Sequence, residues 1–291
     1  MDPRAPHRAA TEALARFDRR RLKPLGVTPE FYDLPYDSLR LHTDDDVELA
    51  AWYVPAPAPA PANALGAVMH HHYGGQKAAL LPWIELLHRL GVGCLGFDAR
   101  GHAGSPCAPG KETYRQRFAD VRAAHAELRR RGHGRVLGYG QSQGAAVLVG
   151  ALGRERDVAG LILDSGPAAL AVPPIWGMAR SLVPEASATP TLTAGVITVE
   201  LVRRLRPSDY AFHLWPGLLA LRDRPLLWLH GSADRVIPRR WAALWFRLLQ
   251  PHAPRWQTLT VAGAEHVQCL QQGGAEVEQC VQSFVAQLHS S

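Results

Sequence analysis

Short apolar runs alternate with longer segments of helical period along most of the chain. The stretches 37–43 (DSLRLHT) and 47–54 (VELAAWYV) read as two strands joined by the acidic turn Asp44-Asp45-Asp46. The run 66–72 (GAVMHHH) reads as a third strand, and 92–98 (VGCLGFD) as a fourth ending in Asp98. RVLGYG (135–140), VAGLILD (158–164), PLLWLHG (225–231) and WQTLTVAG (256–263) continue the series. Between them the pattern predicts helices over about 78–90, 112–131, 143–153, 239–249 and 267–288. Such strand–helix–strand alternation argues for a mostly parallel sheet with helices on both faces, an α/β fold.

Three segments depart from this rhythm. Residues 9–22 form a basic amphipathic pattern, with Ala10, Leu14 and Phe17 on one face, and are expected to pack on their own domain rather than anchor to a membrane. PAPAPAP (55–61) reads as a stiff extended spacer between strands. From 165 to 224 the chain is rich in Ala, Leu, Pro and Trp and shows no strand signal, so a helical insertion of about 60 residues is expected inside a single domain spanning 1–291.

Composition narrows the class without fixing it. The chain has 291 residues, 47% hydrophobic and 20% charged, enough for one large core and unlike a disordered segment. The net charge of +6 comes mainly from arginines in small runs such as Arg19-Arg20-Arg21 and Arg129-Arg130-Arg131. No basic stripe with interleaved aromatics and no zinc-finger spacing accompanies them, so no nucleic-acid partner is expected. The four cysteines, Cys94, Cys107, Cys269 and Cys280, make no C-x-x-C pair, which points to a reducing, cytoplasmic setting. The first residues lack the apolar core of a signal peptide, and no run of about 18 apolar residues is present.

The chemistry is concentrated in GQSQG, residues 140–144. The pattern G-x-S-x-G is common by chance, but here an apolar strand precedes it and a helix opens after it. A serine in such a turn stands clear of the sheet, and the helix N-terminus directs partial positive charge at a developing oxyanion. Its hydroxyl needs a base, and the base needs a carboxylate. Asp234 follows the strand 225–231, and His266 follows the strand 256–263, both at strand C-terminal ends where sites of open α/β sheets form. Ser142, Asp234 and His266 are therefore the candidate catalytic residues. Asp164, closing its own strand, is the alternative acid. His230 is expected to shape the Asp234 turn, His252 to lie on the surface, and neither Cys107 nor Cys269 to act as nucleophile.

These motifs together resemble the α/β-hydrolase superfamily over about residues 36–288. FDARGHAGS (97–105) looks like the family's D-x-R-G-x-G-x-S segment, with Ala103 where the second glycine is usual. His71-His72-Tyr73-Gly74-Gly75 and Ser142-Gln143 are similar to the acetyl xylan esterase and cephalosporin C deacetylase branch, with His72 in place of a glycine. The resemblance implies an oxyanion hole made of the backbone N–H groups of Gln143 and Tyr73, with Gly74 as the alternative second donor. It implies that the insertion 165–224 forms a lid, whose Leu170, Ile175, Trp176, Leu214, Trp215 and Leu218 favour an apolar acyl or alcohol group or simply pack the lid down.

The expected function is a serine esterase acting on a small-molecule ester, with no metal or organic cofactor. An amidase, peptidase or thioesterase with the same triad, and a non-catalytic hydrolase-fold binding protein, are the rivals. The run His70-His71-His72 raises a metal reading. Alternation along a strand would send His70 and His72 to one face and His71 to the other, so the run reads instead as support for the oxyanion loop. Acyl length, alcohol and oligomeric state are left open.

Overall fold

A strand covered on both faces must be apolar at successive positions, because each neighbour points into a different core. The computed structural model, which describes residues 4–59, 64–108 and 110–290, shows this directly. A helix, α1 (Ala5–Leu22), precedes the antiparallel pair β1 (Asp37–His42) and β2 (Glu48–Val54). Then come β3 (Gly66–His70), α2 (Leu81–Arg89), β4 (Gly93–Phe97), α3 (Arg117–Arg130), β5 (Val136–Gln141), α4 (Gln143–Leu152) and β6 (Val158–Asp164). Three helices follow, α5 (Val172–Leu182), α6 (Pro190–Leu205) and α7 (Tyr210–Ala220). The chain returns through β7 (Leu226–Gly231), α8 (Arg239–Leu249), β8 (Trp256–Val261) and α9 (Cys269–His289).

Among the described residues the strands form one eight-stranded sheet, ordered β1-β2-β4-β3-β5-β6-β7-β8. β2 pairs antiparallel with both β1 and β4, and every pairing from β4 to β8 is parallel. Val68, Leu95, Leu161, Leu163 and Trp228 enter one core, with α3, α4, α7 and α8. Met69, Cys94, Leu137, Ile162 and Leu227 enter the other, with α2 and α9. This is the mostly parallel sheet with helices on both faces that the alternation predicted, in the α/β-hydrolase arrangement that the resemblance implied.

A third, smaller apolar cluster matters more for the site. Ala10, Ala13 and Leu14 of α1 join Ile175 and Ala179 of α5 and Ile197, Leu201 and Leu205 of α6, with Tyr73 beneath them. The segment 165–224 thus divides. α5 and α6 pack with the N-terminal helix, while Leu214 and Leu218 of α7 are buried in the body beside α4. Leu170 is half exposed.

Several element boundaries differ from expectation, three of them beside the site. The expected helix 78–90 begins as a 3-10 turn, Lys77–Leu80, and becomes α-helical at Leu81 with Pro82 in its first turn. The expected helix from 112 starts at Arg117, because Thr113 and Gln116 bond each other and Tyr114 N–H donates to Leu205 O. The third strand ends at His70 rather than at 72, so strand alternation does not govern His71 and His72. Part of the 55–61 spacer lies outside the described residues. No described helix is long and apolar enough to cross a membrane.

Candidate active site

β5 delivers Gln141 to the end of the sheet, and the chain turns sharply into α4 at Ser142. Ser142 has φ 52° and ψ −115°, a conformation that L residues rarely hold and that marks a strained, over-determined turn. The flanking glycines make room for it. A Cβ at Gly144 would stand 2.5 Å from His70 O and 2.7 Å from His71 O, and one at Gly140 would stand 2.7 Å from Ala145 N. Ser142 N–H is fixed by Asp164 O at 2.8 Å.

The loops after β7 and β8 are knitted together, Ser232 N–H to Val261 O at 2.9 Å and Ala233 N–H to Ala264 O at 3.0 Å. This brings Asp234 and His266 to Ser142. His266 Nε2 is 2.8 Å from Ser142 Oγ, and His266 Nδ1 is 2.8 Å from Asp234 Oδ2. Asp234 is buried, and its Oδ1 accepts the N–H groups of Val236 and Ile237 at 2.9 and 2.8 Å. With Asp234 as acceptor, His266 carries its proton on Nδ1, and Nε2 is left to accept from the serine hydroxyl. The structure therefore joins all three candidate residues in one hydrogen-bonded chain.

Asp164 takes a different place. It is fully buried, accepts from Ser165 Oγ at 2.8 Å and Tyr139 OH at 3.3 Å, and burial raises its pKa. Ser165 Oγ in turn accepts Val267 N–H at 2.9 Å, so Asp164 sits under the His266 loop rather than against the imidazole. His230 donates from Nε2 to Ile237 O at 3.0 Å, spanning the turn that carries Asp234. His252 is exposed. Burial raises the thiol pKa values of Cys107 and Cys269, and neither is joined to His266.

The second half of the site is the loop after β3, braced on the loop after β4 by the ion pair of Lys77 Nζ with Asp98 Oδ2 at 2.6 Å and by three bonds from backbone N–H groups. Lys77 N–H donates to Asp98 Oδ1 at 2.7 Å, Ala99 N–H to His71 Nε2 at 3.0 Å, and Gly74 N–H to His102 Nε2 at 3.1 Å. His71 Nδ1 donates to His72 O and His102 Nδ1 to Arg100 O, which fixes both tautomers. Burial pushes the pKa of His71 down to about 4 and that of His102 well below the ordinary value, so both stay neutral acceptors. The Gly74 N–H is thereby engaged. The N–H groups of Tyr73 and Gln143 have no hydrogen-bond partner among the described residues.

The two departures from the family pattern have simple geometry. Gly74 takes φ 87° and needs its glycine, whereas His72 takes no positive φ and needs none. Ala103 has φ 35°, which explains why a glycine is usual there. The three adjacent histidines diverge: His70 bonds His71 O, His71 bonds His72 O, and His72 bonds the Gln141 side chain.

Ser142 and His266 open into a cavity of about 580 Å³. Its walls include Ile175 and Met178 of α5, Tyr114, Tyr210, and Phe17 of α1. Of the apolar residues singled out between 165 and 224, only Ile175 lines it. Sequence reading missed Phe17 and Arg20 as wall residues. The amphipathic pattern of α1 signals that it packs, but nothing local says against what.

A model of the alpha/beta hydrolase family matches residues 68–279. The chain belongs to the α/β hydrolase family. The chain is 32% identical over 128 residues to an uncharacterized protein of Mycobacterium tuberculosis (strain ATCC 25618 / H37Rv), a match covering 43% of each chain. It is 24% identical over 208 residues to the uncharacterized protein YfhR of Escherichia coli (strain K12), covering 69% of this chain and 64% of YfhR. The matches thus span under two thirds of those relatives. Among solved structures, an esterase of Pyrococcus furiosus superposes with TM-score 0.73 at 20% identity, over 92% of this chain and 96% of that one. A thermophilic esterase from Thermogutta terrifontis gives 0.59 at 17% identity, over 87% and 99%. Epoxide hydrolases from hot-environment metagenomes give 0.59 at 15%, over 87% and 99%, so structural likeness here speaks for the fold and not for one reaction.

Proposed function

We propose that this hydrolase is a serine esterase that cleaves carboxylic esters with small or apolar acyl groups. The observation that carries this reading is the chain Asp234–His266–Ser142, with both contacts at 2.8 Å, on the wall of a largely apolar cavity. His266 Nε2 removes the proton of Ser142 as Oγ attacks the ester carbonyl carbon. Asp234 stabilises the imidazolium that forms, its second oxygen held by the two backbone N–H groups. The oxyanion is met by the N–H of Gln143, at the start of α4, and by that of Tyr73. One such rigid donor is worth about 3 kcal/mol in the transition state. His266 then protonates the departing alcohol, and the acyl group stays on Ser142. A water deprotonated by His266 attacks the acyl-enzyme, and the serine regains its proton. Every step uses side chains and backbone of this chain.

The insertion 165–224 contributes the lid through α5 and α6, and α1 belongs to the same cover, since its apolar face completes their cluster. The test is a panel of p-nitrophenyl esters of increasing chain length beside matched amides and thioesters. The esters are expected to be turned over fastest, and Ser142→Ala to abolish that turnover while the thermal melt is kept. Faster cleavage of the amides would replace the ester reading with an amidase.

A further inference from the structure

Arg20 is the single arginine or lysine among the described residues that line the cavity at Ser142, and no aspartate or glutamate lines it. Its surroundings leave it without a counter-charge. The adjacent Arg21 is buried and paired with Glu112 at 2.6 Å and Asp18 at 2.9 Å. Arg204 takes the other side of Asp18 at 2.8 Å and Glu200 at 3.1 Å. Arg117, buried, faces Glu112 at 3.5 Å. On this side of the molecule the carboxylates are thus shared among Arg21, Arg117 and Arg204. No described carboxylate stands within ion-pair distance of Arg20, whose side chain is exposed at the cavity mouth.

The backbone under Arg20 is held rather than loose. Ala103 N–H donates to Arg21 O at 2.9 Å, and Gln76 Nε2 donates to Lys23 O at 3.2 Å. Phe17, one turn earlier on the same face of α1, stacks obliquely on Tyr73 with ring centroids 5.5 Å apart. The end of α1 is therefore fixed against the oxyanion loop, with an apolar ring turned to the cavity and a guanidinium beside it. Burial is the main reason His72 stays neutral, with His71 next, and the charge of Arg20 adds to it, which places the guanidinium in electrostatic reach of the cavity wall.

We propose that the preferred substrates are esters that carry an anionic group, a carboxylate in the simplest case, at the end remote from the scissile bond, and that Arg20 receives it. A guanidinium offers a planar pair of donors that matches a carboxylate. The apolar walls take the chain between the anion and the ester. This deepens the esterase reading of the same cavity and rests on it. Because Arg20 is exposed, its preference is modest, about fivefold, and is screened by salt.

The experiment compares kcat/KM for two matched pairs, p-nitrophenyl hydrogen adipate against p-nitrophenyl hexanoate, and 5-acetoxypentanoate against pentyl acetate. It is run on wild type, Arg20→Gln, Arg20→Lys and, as a control on the same helix, Arg16→Gln. In at least one pair the anionic-to-neutral ratio is expected to fall about fivefold in Arg20→Gln, to recover in part in Arg20→Lys, and to stay at the wild-type value in Arg16→Gln. The fall should shrink in 0.5 M salt. An unchanged ratio in Arg20→Gln for both pairs, with the neutral esters still turned over, overturns the inference and leaves the esterase reading standing. Absence of all ester turnover would count against the esterase reading instead. The inference is then decided by calorimetric binding of 6-oxoheptanoate against 6-oxoheptanamide to wild type and Arg20→Gln. A carboxylate preference lost with Arg20 supports it, and equal binding rejects it.

Discussion

At the scale of single residues, two buried aspartates compete for one role, and their surroundings separate them. Asp234 gives one oxygen to His266 and the other to two backbone N–H groups. Asp164 gives both of its oxygens to hydroxyls and is pushed toward its neutral form by burial. Asp234→Asn is expected to lower kcat by about 10³ to 10⁴, because an amide favours the wrong imidazole tautomer. Asp164→Asn should cost less than tenfold, and steady-state kinetics of the two variants on one ester check this. The candidates Ser142, Asp234 and His266 were legible in the sequence because the glycine spacing and the ends of the predicted strands carry them. Arg20 was not. Within Arg19-Arg20-Arg21 nothing local says that Arg21 turns inward, because its partner Glu112 lies 91 residues away.

At the scale of elements, the loop after β3, the proposed oxyanion loop, is braced by neutral histidines. His71 and His102 accept backbone N–H groups of the two loops they bridge, and protonating either ring would remove an acceptor. The pKa of His71 falls from the ordinary 6.5 to about 4 on folding. Between those values the unfolded chain binds a proton that the native chain refuses, so stability falls as pH drops through that window. One such histidine contributes a slope of up to about 1.4 kcal/mol per pH unit. Thermal melts from pH 7 to 4 should show a falling midpoint, and His71→Asn should flatten the slope whatever it does to the midpoint at pH 7. His102→Ala frees the Gly74 N–H and is expected to lower kcat about tenfold with KM little changed, measured on a short p-nitrophenyl ester. The sequence reading extended the third strand to 72 because histidine carries no stop signal. The strand ends at His70 because the His71 ring bonds across to the next loop, a tertiary interaction invisible to local pattern.

At the scale of the whole molecule, the mostly parallel sheet was legible because its central strands are apolar at nearly every position before their C-terminal ends. The cover was less so. The family match begins at residue 68 and leaves α1 outside it, yet α1 closes one wall of the cavity. Leu14→Ala removes a buried side chain shared by α1, α5 and α6 and should cost about 2 kcal/mol of stability, seen in denaturant unfolding. The same change should raise KM for long-chain esters more than for acetate esters. The central claim is that Ser142 is a nucleophile activated by His266, and one measurement tests it most directly. The protein is treated with a fluorophosphonate, digested and read by mass spectrometry. The account predicts a single phosphonate adduct on the peptide containing Ser142, absent from Ser142→Ala and strongly slowed in His266→Ala. No adduct at Ser142 in the folded wild-type protein, or equal labelling in the His266 variant, would contradict it.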